Sequence, residues 1–238
     1  MSEEYDPDNL LDRNTAAATM QVQYDQVFRR EARILGRRLG LGGGDVLSVG
    51  CGWNPGRHMF PQPAWRMTGV ELEPLKPDAL VADGTLEAGF AGRAGELGLP
   101  DDSFDVVLYR LVLHHIAYQG ALAPVFEEAA RLLRPGGALI AVEPGLLHPV
   151  GAALTIANEL GAGTSVHGTP DDIPLAPGRL IGEARTAGLE PELHAVTYTW
   201  RRMPPGMQRA IWPLDEALGS RTRSARLGHT LMLIAREN

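Results

Sequence analysis

The sequence predicts an α/β fold with a doubly wound, mostly parallel sheet, and three observations indicate it. Apolar strand-like runs alternate with helical patterns from about residue 45 to residue 145, which is typical of parallel strands joined by crossover helices. The glycine-rich stretch 46–57 follows the first run, and an acid, Glu71, lies about 20 residues beyond its first glycine. Finally, the stretches 193–201 and 230–235 alternate like strands and predict an antiparallel pair at the end of the chain.

The chain before the glycine-rich stretch predicts a helical cap. Residues 1–15 are acidic, polar and irregular, whereas 19–39 place apolar side chains on one face at helical spacing. Glycines within 40–44 end this helix and lead into the first strand. We therefore expect residues 1–40 to cap a single domain that comprises residues 1–238.

The chain after the alternating region predicts the parts that cover a substrate. Helices are expected at 150–160 and 177–188, with a loop at 161–177 between them, and a proline-rich insertion separates the last two strands. Neither an internal repeat nor a linker divides the sequence. Segment 145–177 is therefore the predicted substrate cover.

The glycine-rich stretch has the chemistry of a nucleoside site. Glycine lets a ligand lie against bare backbone, and Glu71 at the tip of the second strand can accept hydrogen bonds from both hydroxyls of a ribose. Asn54 and Pro55 are suited to begin a helix, but Pro61 and Pro63 end it after little more than a turn. Such a short helix favours an uncharged ribose or an amino-acid tail over a pyrophosphate. We therefore predict a ribonucleoside cofactor.

Five segments follow one another in an order that is typical of one enzyme family. They are the glycine motif 46–57, the second strand 67–74, the third strand 81–84, the fourth strand with its loop 99–115, and the helix, R-P-G-G turn and fifth strand 128–140. This set resembles the class I S-adenosylmethionine (SAM) methyltransferases, specifically the small bacterial type 11 group. The resemblance implies a Rossmann-like sheet, SAM as the cofactor, and methyl transfer to an O, N or C atom of a small metabolite, with natural products among the candidates.

The resemblance also implies a set of cofactor-binding residues. Glu71 would hold the ribose, Asp83 would meet the adenine amino group, and Tyr24 on the N-terminal helix could reach the cofactor carboxylate. Ser48 stands where the family usually has an acid that holds the ammonium of the methionine moiety, so a charge-assisted contact is missing there. The full predicted set is Tyr24, Ser48, Gly50, Cys51, Gly52, Gly56, Glu71, Leu72, Asp83, Gly84 and Arg110.

Candidate catalytic residues follow the fourth and fifth strands. Ligands of open α/β sheets bind outside the carboxyl ends of the strands, which places 109–115 and 143–148 beside the glycine loop. Methyl transfer mainly requires alignment, and a base is needed only when the acceptor must lose a proton. The candidates for that base are His114, His115 and Glu143, with His148 and His167 as further alternatives. Both His114 and His115 could instead be loop or packing residues, and Glu143 could instead bond to loop amides.

Composition agrees with a soluble single-domain enzyme. The net charge of −7 disfavours a nucleic-acid substrate, because phosphate binding requires a basic face. The sole cysteine, Cys51, excludes an internal disulfide and a cysteine-based metal cluster, and we predict no metal. The longest apolar stretch, 138–142, is too short to cross a bilayer. We expect a cytoplasmic protein with a small-molecule substrate and neither a nucleic-acid nor a membrane partner; the oligomeric state is left open.

Three functions are open on the sequence alone. The first is a SAM-dependent methyltransferase. The second is a non-methylating descendant on the same scaffold, such as a cyclase, a lyase or a partner subunit, which Ser48 and the short helix after Gly56 favour. The third is a nicotinamide oxidoreductase, which the glycine spacing and the antiparallel ending disfavour. Binding of SAM or of NAD separates the first from the third, whereas only product analysis separates the first from the second.

Overall fold

The computed structural model describes residues 17–161, 173–200, 203–219 and 222–237, and these form a seven-stranded sheet with helices on both faces. The strands are β1 Gly44–Val49, β2 Trp65–Glu71, β3 Ala88–Ala91, β4 Phe104–Arg110, β5 Leu133–Pro144, β6 Leu189–Thr197 and β7 Thr230–Glu237. Their spatial order is β3-β2-β1-β4-β5-β7-β6. Strands β1 to β5 pair in parallel, whereas β7 lies antiparallel to both β5 and β6. The predicted fold class is therefore confirmed.

The helices pack on the sheet in two layers. They are α1 Ala17–Arg38, α2 Leu75–Ala82, α3 Leu113–Gln119, α4 Ala123–Leu132, α5 Pro149–Glu159, α6 Pro177–Thr186 and α7 Pro205–Gly219, with short 3-10 turns at Arg57–Met59 and Thr222–Leu227. One core lies between the sheet and α4 with α6, and the other lies between the sheet and α1 with α2.

The central strand β4 shows why the sheet is buried on both faces. Val107 and Tyr109 point into the core under α4, whereas Val106 and Leu108 point into the core under α1, and all four are inaccessible to solvent. Side chains alternate along a strand, so a strand between two helix layers needs a continuous apolar run. This run places Arg110 and the loop after it at the edge where β1, β2, β4 and β5 end, which we call the carboxyl edge.

The predicted third strand at 81–84 is wrong. Helix α2 continues through Ala82, Asp83 is its C-cap, and β3 begins only at Ala88. A short apolar run such as 79–82 fits a helix as well as a strand, and β3 itself contains no β-branched residue that would have marked it.

The C-terminal region also differs from the prediction. Strand β6 begins at Leu189 and ends at Thr197, earlier than the predicted 193–201. The proline-rich insertion forms α7, with Pro205 at its first position, where the missing N–H costs nothing, and Pro213 inside it. Residues 1–16 and 162–172, which include most of the predicted loop 161–177 and His167, lie outside the described residues.

Candidate active site

The glycine loop between β1 and β2 forms one part of the carboxyl edge. Gly50 and Gly52 have φ angles of 65° and 50°, a region that other residues adopt only with strain. A Cβ on Gly50 would lie 2.3 Å from Cγ2 of Val112, whereas a Cβ on Gly52 would meet no heavy atom within 4 Å. The loop therefore packs tightly at Gly50 and presents open backbone at Gly52.

Glu71 lies beside this open backbone. Its Oε2 accepts a hydrogen bond from the Gly52 amide at 3.0 Å, and its Oε1 accepts one from the Leu72 amide at 3.1 Å. An ionised carboxylate has about four acceptor positions, so two are left for a ligand. The Leu72 side chain is 63% exposed next to it and offers an apolar surface.

Ser48 and Cys51 are buried within the loop. The Ser48 hydroxyl donates a hydrogen bond to the Pro55 carbonyl at 3.0 Å and so ties β1 to the far end of the loop. Burial, together with the nearby Glu71 carboxylate, raises the pKa of the Cys51 thiol to about 12. Such a thiol stays protonated at neutral pH, which is consistent with packing and not with a nucleophile. The 3-10 turn after Gly56 begins at Arg57 rather than at Pro55, and it is as short as predicted.

Arg110, at the end of β4, binds an acid that the sequence analysis missed. Its Nη2 and Nε lie 3.3 Å and 3.4 Å from the two carboxylate oxygens of Glu31 in α1. His58 Nε2 lies 2.5 Å from Glu31 Oε2. Burial by itself would raise the pKa of Glu31, but Arg110 and His58 outweigh it and lower that pKa. Tyr24 is half-buried on the same helix and packs against Phe28, with ring centroids 5.7 Å apart.

His114 and Glu143 form a buried pair behind the loop after β4. Glu143 Oε1 accepts hydrogen bonds from the amides of Val112 and Leu113 at 3.0 Å and 2.8 Å, and its Oε2 lies 2.6 Å from His114 Nδ1. Glu143 is therefore the acceptor that satisfies the first amides of α3. The loop-amide alternative for Glu143 is thus the one that the geometry shows. The half-buried His115 packs on the His114 ring, with centroids 4.1 Å apart.

Asp83 and Gly84 lie apart from these residues. Both precede β3, and the Gly84 carbonyl accepts a hydrogen bond from the Gln62 side chain just before β2, so they lie at the opposite, amino edge of the sheet. At the carboxyl end of β3, the Gly92 amide instead donates to the Glu71 carbonyl at 2.8 Å. The structure therefore brings the other predicted cofactor residues to one edge but not Asp83 and Gly84.

The insertion between β6 and β7 also reaches the carboxyl edge, which the sequence analysis missed. Thr230, where β7 begins, pairs with Pro144 at the end of β5 and with Thr197 at the end of β6, so the insertion starts and ends at this edge. His148 Nε2 lies 3.0 Å from the Tyr198 carbonyl oxygen. Burial lowers the pKa of His148. The insertion therefore meets the described part of the predicted cover, residues 145–161 and 173–177, at His148.

The described ranges hold neither a candidate metal site nor a helix that could cross a membrane. Within them, no cluster of three His, Cys, Asp or Glu side chains has the arrangement of a metal site. Within the same ranges, none of the helices has the length and hydropathy that a membrane crossing needs.

Comparison with known proteins identifies the scaffold. Residues 47–141 match a family model described as a methyltransferase domain. This stretch of the chain is therefore similar to SAM-dependent methyltransferase domains. The predicted resemblance is confirmed, and SAM is the cofactor that this family implies.

Individual relatives extend the match beyond that domain. The 27-O-demethylrifamycin SV methyltransferase of Amycolatopsis mediterranei is 34% identical over 187 residues, which cover 74% of this chain and 64% of that protein. This methyltransferase-like chain thus spans less than two thirds of the length of the curated relatives it matches.

Solved structures share the fold at low identity. A SAM-dependent methyltransferase of Thermotoga maritima, described as a possible histamine N-methyltransferase, has a TM-score of 0.65 at 15% identity and covers 97% of this chain and 95% of its own. The cyclase SpnF has a TM-score of 0.59 at 20% identity and covers 88% of this chain and 80% of its own. The fold alone therefore does not choose between methyl transfer and another reaction.

Proposed function

We propose that this protein transfers a methyl group from SAM to an O, N or C atom of a small metabolite. The observation that carries the proposal is the contact between the open Gly52 backbone and the Glu71 carboxylate, 3.0 Å apart at the carboxyl edge. In this arrangement Gly52 lets the cofactor approach the backbone, Glu71 holds the ribose hydroxyls, and Leu72 packs against the adenine. The segment after β3, which starts at Gly92, takes the place beside the adenine that was expected for Asp83.

The chain's own residues contribute mainly binding and alignment. When bound, SAM supplies a methyl group on a sulfonium that is already a good leaving group, and orientation of the acceptor can supply about 7 to 11 kcal/mol of the barrier. The acceptor is expected over the ends of β4 and β5, between α1, the segment after Pro144 and α7.

A hydroxyl-bearing natural product is the acceptor class that one curated relative favours. The Amycolatopsis mediterranei relative is named for a demethylated rifamycin, and its 34% identity extends beyond the shared cofactor region. A hydroxyl acceptor must lose a proton. We assign to the half-buried His115 the role of accepting that proton. The buried Glu143 and His114 act as positioning residues that hold the start of α3.

Binding and product analysis test the proposal. SAM and S-adenosylhomocysteine should both raise the melting temperature, since a ligand that binds only the folded state adds about 2.7 kcal/mol of stability at one hundred times its Kd. SAM labelled in its transferable methyl group should then label an acceptor from a panel that includes 27-O-demethylrifamycin SV. Absence of any thermal shift with either ligand would refute the proposal.

A non-methylating enzyme on the same scaffold is the second candidate. Ser48 favours it, because its hydroxyl is engaged by the Pro55 carbonyl and brings no charge to the place where the family usually has an acid. A thermal shift with SAM, together with conversion of an acceptor without transfer of the label, would support this candidate over methyl transfer.

A further inference from the structure

Three polar side chains form a group around a buried carboxylate at the rim of the glycine loop. We call Glu31, His58 and Arg110 the rim cluster. Its carboxylate, Glu31, is 0% exposed and lies 2.5 Å from His58 Nε2 and 3.3 Å from Arg110 Nη2. The cluster joins α1, the 3-10 turn after the glycine loop, and the end of β4.

Arg110 lies directly against the glycine loop. A Cβ on Gly56 would be 3.6 Å from Arg110 Cδ, so the arginine side chain passes over the last glycine of the loop. The guanidinium carbon lies 5.1 Å from the centre of the Phe28 ring, and the same ring stacks on His58 at 4.1 Å. The orientation of Arg110 is therefore set from two sides, by the Phe28 ring and by the Glu31 carboxylate.

The contact with Glu31 uses only part of the guanidinium. Glu31 accepts from Nε and Nη2, and a guanidinium has five N–H donors in a fixed plane. Donors on the Nη1 side point away from Glu31. A planar guanidinium of this kind is suited to bind a second carboxylate in a defined geometry.

We propose that Glu31 is a positioning residue that holds Arg110 so that its guanidinium binds the carboxylate of the amino-acid tail of SAM. This inference rests on the proposed function. Glu31 itself does not touch the cofactor; it fixes the arginine and, through His58, the turn that follows the loop. The charge lacking at Ser48, opposite the ammonium of the tail, is thus offset by a charged contact to the carboxylate on the same α-carbon.

Two ligands that differ only in the tail region test the proposal by calorimetry. S-adenosylhomocysteine carries the amino-acid tail, and 5′-methylthioadenosine has the same adenosine without it. Arg110→Met should weaken the affinity for S-adenosylhomocysteine roughly ten- to hundredfold, as expected for loss of one charge-assisted contact. The affinity for methylthioadenosine should be unchanged. Arg110→Lys keeps the charge but not the planar fork, and it should show the same selective loss to a smaller extent.

Glu31 is tested by its coupling to Arg110. Glu31→Gln should weaken the affinity for S-adenosylhomocysteine but not for methylthioadenosine. Arg110→Met should then cost less S-adenosylhomocysteine affinity in the Glu31→Gln protein than it costs in the wild type. Arg33→Met is the matched control, because Arg33 lies on the same helix and forms an exposed ion pair with Glu216. It should leave both affinities unchanged.

The outcomes separate the two proposals. Equal weakening of both ligands in variants that keep the wild-type far-ultraviolet spectrum would overturn the inference, because the cluster would then only support the loop. Unchanged S-adenosylhomocysteine affinity in Arg110→Met would also overturn it. If the wild type binds neither ligand, the proposed function itself fails.

Discussion

Helix α1 carries two adjacent buried charges that bond to different parts of the molecule. Arg30 Nη1 lies 2.6 Å from Asp215 Oδ2 in α7 and 2.8 Å from the Val196 carbonyl oxygen. Its neighbour Glu31 faces the glycine loop through Arg110 and His58. Consecutive helical residues point about 100° apart, so one helix can hold a fold contact on one side and a rim of the cofactor site on the other.

The two contacts differ in how completely the protein satisfies them. Asp215 also accepts from the Tyr198 amide and lies 3.3 Å from the Thr197 hydroxyl, and the Arg30 guanidinium lies 4.7 Å above the Trp212 ring. The Arg30–Asp215 pair is thus enclosed by protein groups. Burial raises the pKa of Asp215 despite Arg30, whereas Arg110 and His58 lower the pKa of Glu31. Burial of a charge is therefore not by itself a sign of a ligand site.

Loss of Asp215 should have the largest effect on stability. Asp215→Ala leaves Arg30 buried without its partner, which costs about 3–5 kcal/mol of unfolding free energy. The measurement is urea unfolding, with S-adenosylhomocysteine affinity measured on the folded protein. Because Asp215 bonds to Arg30 and not to the residues around the glycine loop, the affinity for S-adenosylhomocysteine should be unchanged. A large loss of affinity with little loss of stability would contradict the assignment of the Arg30–Asp215 pair to the fold rather than to the cofactor site.

A carboxylate on the cofactor side should show the opposite result. Glu71→Ala removes the ribose acceptor and should weaken SAM binding by about 2 to 4 kcal/mol, with a small effect on unfolding. Calorimetry and urea unfolding of the same preparation give both values. Unchanged affinity would remove Glu71 from the site.

Acid titration should separate the two buried carboxylates by sign. Because the folded pKa of Glu31 is lowered, its stabilising contribution is complete above its ordinary pKa of 4.5 and is lost as the pH falls toward the folded value. Because the folded pKa of Asp215 is raised, protonation there favours the folded state as the pH falls. Glu31→Gln should therefore reduce the loss of unfolding free energy as the pH falls. Asp215→Asn should increase that loss. Parallel stability curves for both variants and the wild type would contradict this.

The exposed ion pair on the same helix should matter least. Arg33 and Glu216 are 43% and 39% exposed, and pairs of this kind contribute about 0–1 kcal/mol. Arg33→Met should change the unfolding free energy by no more than that. A loss comparable with that of Asp215→Ala would show that location on α1, and not burial, controls the energetics.

Sequence prediction succeeded for features whose signals are local. The spacing of Gly50, Gly52 and Glu71 predicted a glycine loop with an acid at the tip of the second strand, and the alternation of apolar residues predicted a parallel sheet with an antiparallel end. That this loop binds a nucleoside stays a prediction. Sequence prediction was wrong at Asp83, because a short apolar run fits either a helix or a strand. It also missed α7, because the prolines in this region indicated an irregular insertion and not a helix. The candidate set thus included two residues that lie at the wrong edge of the sheet.

The sequence by itself determined the scaffold, the glycine loop, Glu71 and the expected cofactor, because glycine positions, proline positions and hydrophobic periodicity act over a few residues. Only the tertiary structure decided the partners of the buried charges. Glu31 and Arg110 are 79 positions apart, and Arg30 and Asp215 are 185 apart. Pairing over such distances depends on how α1 and α7 pack on the sheet, and the stabilisation of a buried charge depends on that pairing.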